Sequence, residues 1–391
     1  MSVAYASMSV GMSICHNMTR GGEMNDKIAG IRMRIRLARA AAGIAVAVGL
    51  GFQVTAGAQG AESAIVAREP ATEALATPTF NPALSSWDAA GNYQHLMPTV
   101  QRLPLAVSRT DTGPMLYHGG PVMTSLEVYS IFWAPAKLQS GTATTMPTSY
   151  TTVLTRLATD YSGHSLSSVA SQYYQTVNGV TTYVSGLAAP GGTGSDAATY
   201  TDVNPYPVSK CTPAAVNCVT DAQIQAEVTR VMGVERWTGG LTKLFVVYLA
   251  QGEETCQAAN ACSNTVFCGY HGHYTNASGA TVLYANMPYA VLANCQVPGT
   301  PFPSGNAYAD TEASIAAHEI TEAVTDPEGN AWFTAQGNEI GDLCAYTFGT
   351  NTWDYNSATL TYNANEMWNG HYYELQMMFD NHYRVCAQYG P

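Results

Sequence analysis

The stretch from Asp310 to Pro327 holds the residues of this sequence best suited to metal chemistry, a His-Glu-x-x-Glu. On a helix, residues four apart point in the same direction, so His318 and Glu322 face one way and Glu319 lies about 100° further round. In His-Glu-x-x-His metallopeptidases the first and last residues hold the metal and the glutamate activates water. We therefore predict His318 and Glu322 as metal ligands and Glu319 as the general base.

The residues around this site predict the helix that must position it. Asp310 or Thr311 can cap the first turn, and Pro327 ends the helix because an interior proline would lose a backbone hydrogen bond. An amphipathic surface helix would show the same pattern, but no Lys or Arg lies nearby to pair with the acids. One stripe of the helix is apolar and is predicted to pack against the core; it consists of Ala313, Ala316, Ile320 and Val324.

A catalytic zinc usually keeps three protein ligands and one open position, so one further ligand must come from outside the helix. Asp342 is the preferred candidate, because the 19 residues between it and Glu322 allow the chain to turn back past the helix. Glu339, Asp326 and His271 remain alternatives. His271 belongs to a His-x-His on a predicted strand, where both rings would share one face.

The first 58 residues have the organisation of an export signal. Residues 27–39 are basic, residues 40–54 are apolar, and Ala56-Gly57-Ala58 offers a cleavage site. The apolar run is too short for a permanent membrane anchor, so we predict no stable membrane insertion. We expect a secreted, extracellular protein, with the periplasm as the alternative, and Met24 or Met33 as alternative starts.

The charge of the chain restricts its partners. The full sequence has a net charge of −12, and removal of residues 1–58 would leave 10 basic and 26 acidic residues. Nucleic acids and anionic membranes bind clustered Lys and Arg, so we exclude both. The expected partner is a peptide or protein substrate.

Eight cysteines follow the export signal, and their even number in an extracellular context predicts disulfides. Pairing of neighbours predicts the bonds Cys211 with Cys218, Cys256 with Cys262, Cys268 with Cys295, and Cys344 with Cys386.

The domain organisation follows from changes in composition and periodicity. Residues 59–115 are rich in Ala, Pro, Thr and Ser without a sustained period, so we predict a linker or propeptide followed by a domain over residues 116–391. Within this domain, apolar and capping patterns alternate between strands and helices, as expected for an α/β fold. Strands are predicted at 126–135, 180–186, 241–250, 281–287 and 371–378, and helices at 150–161, 166–174 and 221–232.

Short segments spread along the domain form a further pattern: Tyr117-His-Gly-Gly-Pro-Val, Phe132-Trp133, Cys268-Gly-Tyr-His271, Ala317-His-Glu-Ile-Thr-Glu322, Asn330-Ala-Trp332, Glu339-Ile-Gly-Asp-Leu-Cys344 and Cys386. Together they resemble the Exordium-like, phosphate-induced protein family of secreted proteins. The resemblance implies export and a shared site at His318, Glu319, Glu322 and Asp342. The plant members have asparagine at the position of Asp326.

We therefore expect a single zincin-like α/β domain, with a twisted mixed sheet packed on the active-site helix and a disulfide-rich β C-terminal part. The predicted function is a secreted metal-dependent peptidase that uses zinc, with manganese or calcium as alternatives because carboxylate ligands are hard donors. The alternative function is a non-catalytic extracellular protein with a structural metal or a cell-wall or carbohydrate interaction role. No G-x-S-x-G nucleophile motif occurs.

Overall fold

The structure is a computed structural model that describes residues 80–88, 90–108, 111–185, 199–212, 214–258, 260–298, 302–349, 353–354 and 363–391. The predicted export signal and residues 59–79 lie outside the described residues. No helix in the described part of the chain combines the length and apolarity needed to cross a bilayer.

The described residues form short and medium-length strands together with helices of 4 to 19 residues. The strands are β1 (Ser85–Trp87), β2 (Tyr93–Pro98), β3 (Leu116–Tyr117), β4 (Glu127–Trp133), β5 (Tyr174–Val177), β6 (Val180–Tyr183), β7 (Thr199–Asp202), β8 (Cys218–Thr220), β9 (Lys243–Leu249), β10 (Glu254–Ala258), β11 (Ala261–Cys262), β12 (Phe267–Thr275), β13 (Thr281–Met287), β14 (Trp332–Phe333), β15 (Trp353–Asp354), β16 (Asn363–Ala364), β17 (Glu366–Trp368), β18 (His371–Tyr373), β19 (Met378–Asp380) and β20 (Val385–Ala387). The helices are α1 (Leu103–Ala106), α2 (Thr148–Asp160), α3 (Ser165–Ala170), α4 (Asp221–Glu235), α5 (Leu292–Cys295) and α6 (Ala307–Thr325), and Asp342–Cys344 forms a 3₁₀ turn.

A seven-stranded mixed sheet lies at the centre, in the order β1-β2-β12-β13-β9-β4-β7. The pairs among β1, β2, β12 and β13 are antiparallel, and those among β13, β9, β4 and β7 are parallel. The predicted α/β fold with a mixed sheet is therefore confirmed.

Helices cover both faces of the central sheet, which explains why strand β9 is apolar along almost its whole length. Alternate residues of a strand point to opposite faces, and a strand buried on both sides therefore reads as a continuous apolar run. On β9, Leu244, Val246 and Tyr248 enter the core with α2, α3 and α6. The intervening residues enter a second core with α4; they are Phe245, Val247 and Leu249. The site-bearing helix thus lies on one defined face of the sheet.

Helix α6 begins three residues earlier than predicted. Its cap is Asn306, whose side chain accepts two backbone N–H groups at 3.2 Å each, while Asp310 accepts from Ser304 instead. The helix ends before Pro327, as predicted. Residues 309–325 are all buried, so the polar side of the helix also faces protein rather than solvent.

The described part of residues 59–115, predicted as a linker or propeptide, is not an unstructured linker but contributes to the central sheet. β1 and β2 are strands of the central sheet, and every residue of β2 is buried. The strand was missed because its polar members find buried partners: Gln94 donates to Asp221 at 2.8 Å, and His95 contacts Asp342 at 2.9 Å. The central sheet therefore includes residues that precede the predicted boundary at 116.

All four predicted disulfides are confirmed. Such bonds fit a protein that folds in an oxidising compartment. The C-terminal part is rich in short strands, as expected, but the single strand predicted over 371–378 is divided between β18 and β19. The helix predicted over 166–174 is also shorter, because Tyr174 begins β5.

Candidate metal centre

Two glycines allow the site-bearing turn of α6 to approach its neighbours closely. A Cβ atom on Gly269 of β12 would lie 2.7 Å from a methyl of Ile315 and 3.3 Å from Glu319 Oε1. A Cβ atom on Gly341 would lie 2.7 Å from His318 Nδ1 and 2.9 Å from Glu322 Oε1. The helix can contact the strand and the 339–342 turn at these distances because neither position carries a side chain.

The first candidate ligand set, which we call triad A, consists of His95, Glu322 and Asp342. One ligand atom from each lies within 4.8 Å of the others. His95 Nε2 is 2.9 Å from Asp342 Oδ2 and 4.0 Å from Glu322 Oε2. All three side chains are buried, with at most 1% of the residue exposed. Triad A therefore has one nitrogen and two oxygen donors, shielded from water.

The second candidate set, triad B, consists of His271, Glu319 and Glu322, with ligand atoms again within 4.8 Å of one another. His271 Nδ1 is 3.1 Å from Glu319 Oε2 and 3.7 Å from Glu322 Oε2. Glu319 was predicted to point away from the ligands, but the structure includes it in this set. The alternative ligand His271 also lies at the centre.

Surrounding groups hold these ligands in place. Glu322 Oε1 accepts the N–H groups of Gly341 at 3.1 Å and Asp342 at 3.2 Å. The other oxygen, Oε2, faces His95 and His271. His95 Nδ1 is 2.8 Å from Ser85 Oγ and 3.1 Å from Tyr93 Oη. Partners of this kind fix the ring orientation of a ligand histidine.

His318, the first predicted ligand, belongs to neither triad. Its Nε2 lies 3.1 Å from Glu322 Oε1, the oxygen already bound by backbone N–H groups. Its Nδ1 is 2.7 Å from Gln376 Nε2, which also donates to the carbonyl of Gly341 at 3.0 Å. Because the amide donates to Nδ1, the proton of a neutral His318 ring belongs on Nε2, which lies beside Glu322 but makes no hydrogen bond. His318 therefore contacts Glu322 from outside both triads, and His95 supplies the imidazole of triad A instead.

The two remaining alternatives lie beside the triads. Glu339 accepts a hydrogen bond from Tyr93 Oη, and its Oε2 is 3.7 Å from His271 Nε2. Asp326 Oδ1 accepts the N–H groups of Asn330 at 2.7 Å and Ala331 at 2.6 Å. Asp326 thus shapes the turn after α6, whereas Glu339 borders triad B.

Several buried polar atoms at this centre have no hydrogen-bond partner. They are His271 Nε2, His318 Nε2, Glu319 Oε1, Glu322 Oε2, Asp326 Oδ2, Glu339 Oε2 and Asp342 Oδ1. Leaving one such atom unpaired costs about 1–3 kcal/mol. Within the described residues, these carboxylates form ion pairs only with histidines and not with Lys or Arg. The donor set therefore fits a divalent cation.

The pKa values of the side chains at this centre also favour added positive charge. Burial and the charge of Glu322 raise the pKa of Glu319 well above its usual range. Burial opposes the charged form of His95, but Asp342 and Glu322 outweigh it and raise its pKa to about 9. Burial lowers the pKa of His271 to about 3. So many acids at short range cannot all ionise unless positive charge is added.

His95 was not predicted as a ligand because the composition of its segment indicated an unstructured region. A usable signal was present, since Tyr93, His95 and Met97 alternate along β2 and all point toward the α6 side. A third grouping of potential ligands consists of Cys211, Cys218 and Cys256, which are all disulfide-bonded and so offer no thiolate.

Comparisons with protein-family models, with curated proteins and with solved structures give no match to this chain. The function is therefore argued from the site itself.

Proposed function

We propose that this chain is a secreted metal-binding protein whose centre holds a divalent cation. The observation that carries the proposal is the convergence of unpaired buried atoms from His271, Glu319, Glu322 and Asp342 on one region. A cation there would give these atoms partners and offset their charge. In triad A, His95, Glu322 and Asp342 would be the ligands.

Zinc and manganese fit these donors better than calcium does. Each triad supplies one imidazole nitrogen and two carboxylate groups. Zinc binds nitrogen and oxygen donors in small sets, and manganese accepts carboxylates, whereas calcium needs six to eight oxygen ligands, roughly. We retain zinc as the first candidate and manganese as the second.

For the activity, we propose metal-dependent peptide hydrolysis in a zincin-like arrangement with α6 as the active-site helix. When bound, the cation would polarise a carbonyl oxygen and lower the pKa of water. Glu319 is suited to accept a proton, since its Oε2 contacts His271 while its Oε1 has no hydrogen-bond partner. The backbone N–H groups of Gly341 and Asp342 would keep Glu322 oriented throughout.

One observation favours a second function, a non-catalytic extracellular protein with a structural cation. The side chains of both triads have at most 1% of their surface exposed, so a substrate would have to displace protein to reach them. A cation in such a closed site would stabilise the fold by neutralising buried carboxylates. The resemblance to Exordium-like proteins is compatible with either function.

Elemental analysis of the mature protein, thermal unfolding with and without chelator, and a peptide-library assay separate these functions. Glu319→Gln should lower hydrolysis by roughly 10² or more, the scale of lost general-base catalysis, while triad A keeps its ion. The matched control is Glu312→Gln, another buried glutamate of α6 outside both triads.

Each outcome decides one point. Protein that binds no cation and unfolds at the same temperature with chelator would overturn the metal-binding proposal. A bound, stabilising cation without hydrolysis of any library peptide would replace the peptidase with the structural function.

A further inference from the structure

We infer that the centre has two cation positions, one at triad A and one at triad B, and that Glu322 bridges them. The inference rests on the proposed metal binding and adds the number and arrangement of the ions. It assigns His95 and Asp342 to one position and His271 and Glu319 to the other, where a bound cation would make Glu319 a ligand rather than a general base.

Distances argue against one ion shared by all these residues. A transition-metal ion with ligand bonds of about 2.1 Å reaches donor atoms at most about 4.2 Å apart. Within each triad the donor atoms lie within 4.8 Å of one another, close enough for small side-chain adjustments to complete a site. Among the described residues, no single group that meets this 4.8 Å criterion contains both His95 and His271. One ion can therefore use one triad, and the other triad remains available.

Glu322 has the geometry of a bridging ligand. Its Oε2 has no hydrogen-bond partner and lies 4.0 Å from His95 Nε2 and 3.7 Å from His271 Nδ1. The two imidazole rings have centroids 5.8 Å apart, so each can bind an ion of its own. Ions in two-metal sites are about 3.5–4 Å apart, a separation that one carboxylate can span.

The charge of the centre also favours a second cation. Its buried carboxylates are Glu319, Glu322, Asp326, Glu339 and Asp342. One divalent cation offsets two of the five charges that these groups carry when ionised, whereas two cations offset four. An uncompensated charge in a protein interior is strongly destabilising. The pair of cations leaves the smaller residual charge.

Metal stoichiometry tests the inference on the full mature chain, stripped with chelator and then dialysed against Zn²⁺ or Mn²⁺. We expect two equivalents in the parent, one in His95→Ala, one in His271→Ala and none in Glu322→Ala. The matched control is His273→Ala, which removes a histidine of the same strand outside both triads and should keep two equivalents. Circular dichroism and a thiol count verify that each variant is folded.

A measurement on the parent alone covers the case in which a variant fails to fold. Two Mn²⁺ ions bridged by one carboxylate should give a spin-coupled electron paramagnetic resonance spectrum. A single uncoupled equivalent would overturn the two-position inference and leave the metal-binding proposal standing. Two uncoupled equivalents, or two equivalents retained in both His95→Ala and His271→Ala, would also overturn it. Failure to bind either ion would overturn both proposals.

Discussion

Replacing His95 with alanine removes the proposed ligand that lies on β2 and contacts the α6 site. The variant removes the nitrogen donor of triad A but leaves Glu322 and Asp342 in place. It also removes a buried ring, and the packing cost of that loss is present with or without metal. The quantity to measure is therefore the change in unfolding temperature caused by chelator, because the packing cost cancels in this difference.

The expected loss of metal-dependent stability follows from the removal of one of three ligands. At a free metal concentration about 1,000 times the Kd, a bound ion stabilises the parent by about 4 kcal/mol. Loss of a partner that only orients a ligand weakens metal binding by roughly 10–100-fold, so loss of one of three ligands should reach at least the upper value. A 100-fold loss equals about 2.7 kcal/mol and leaves about 1.4 kcal/mol of metal-dependent stability. In a large domain, 1 kcal/mol shifts the Tm by about 2 °C.

The assay is differential scanning calorimetry of parent and variant, each with metal and with chelator. We expect the drop in Tm caused by chelator to be about 5 °C smaller in His95→Ala than in the parent, because the variant weakens triad A alone. His273→Ala, the matched control, should respond like the parent. If His95→Ala shows the full parental response to chelator, His95 is not a ligand and our account of triad A is refuted.

Four further predictions follow from the same structure. Burial raises the pKa of Glu312 from its ordinary 4.5 to about 8, so the folded state holds a proton that the unfolded state releases. This contribution to stability is fully present below pH 4.5 and is lost as the pH rises to 8. Glu312→Gln should therefore flatten the pH dependence of the unfolding free energy by up to about 1.4 kcal/mol per pH unit in that window. If chemical denaturation gives the parent and the variant the same pH dependence, the prediction is contradicted. Gln376→Leu should weaken metal binding about 10–100-fold without changing its stoichiometry, since Gln376 donates to the carbonyl of Gly341, whose N–H group orients Glu322; unchanged affinity in calorimetric titration would contradict that role. Thiol titration of denatured, exported protein should detect no free cysteine among the eight; several reactive thiols would contradict the disulfide assignment. N-terminal sequencing of secreted protein should find cleavage near Ala58, and cytoplasmic protein that keeps residues 27–58 would contradict export.

The sequence by itself determined the features that depend on nearby residues. The apolar runs of β4, β9 and β13 and the proline after α6 are local signals, and the structure agrees with them. Disulfide pairing also followed from proximity along the chain, because closing a short loop costs little conformational entropy. Cys256 and Cys262 are six residues apart, and the longest closed loop spans 42.

Only the tertiary structure decided which residues share the candidate metal centre. His95 and His271 meet because β2 pairs with β12, with these two residues opposite each other in the register. Nothing local to His95 indicates this pairing, because strand partners are chosen by the burial of whole faces rather than by neighbouring residues. Likewise, helical spacing brings His318 beside Glu322, but Gln376 binds the Nδ1 atom of His318, and the turn at Gly341 supplies the N–H groups that orient Glu322. Helical spacing fixes the direction of a side chain, whereas its chemical role depends on the groups that the rest of the fold places around it.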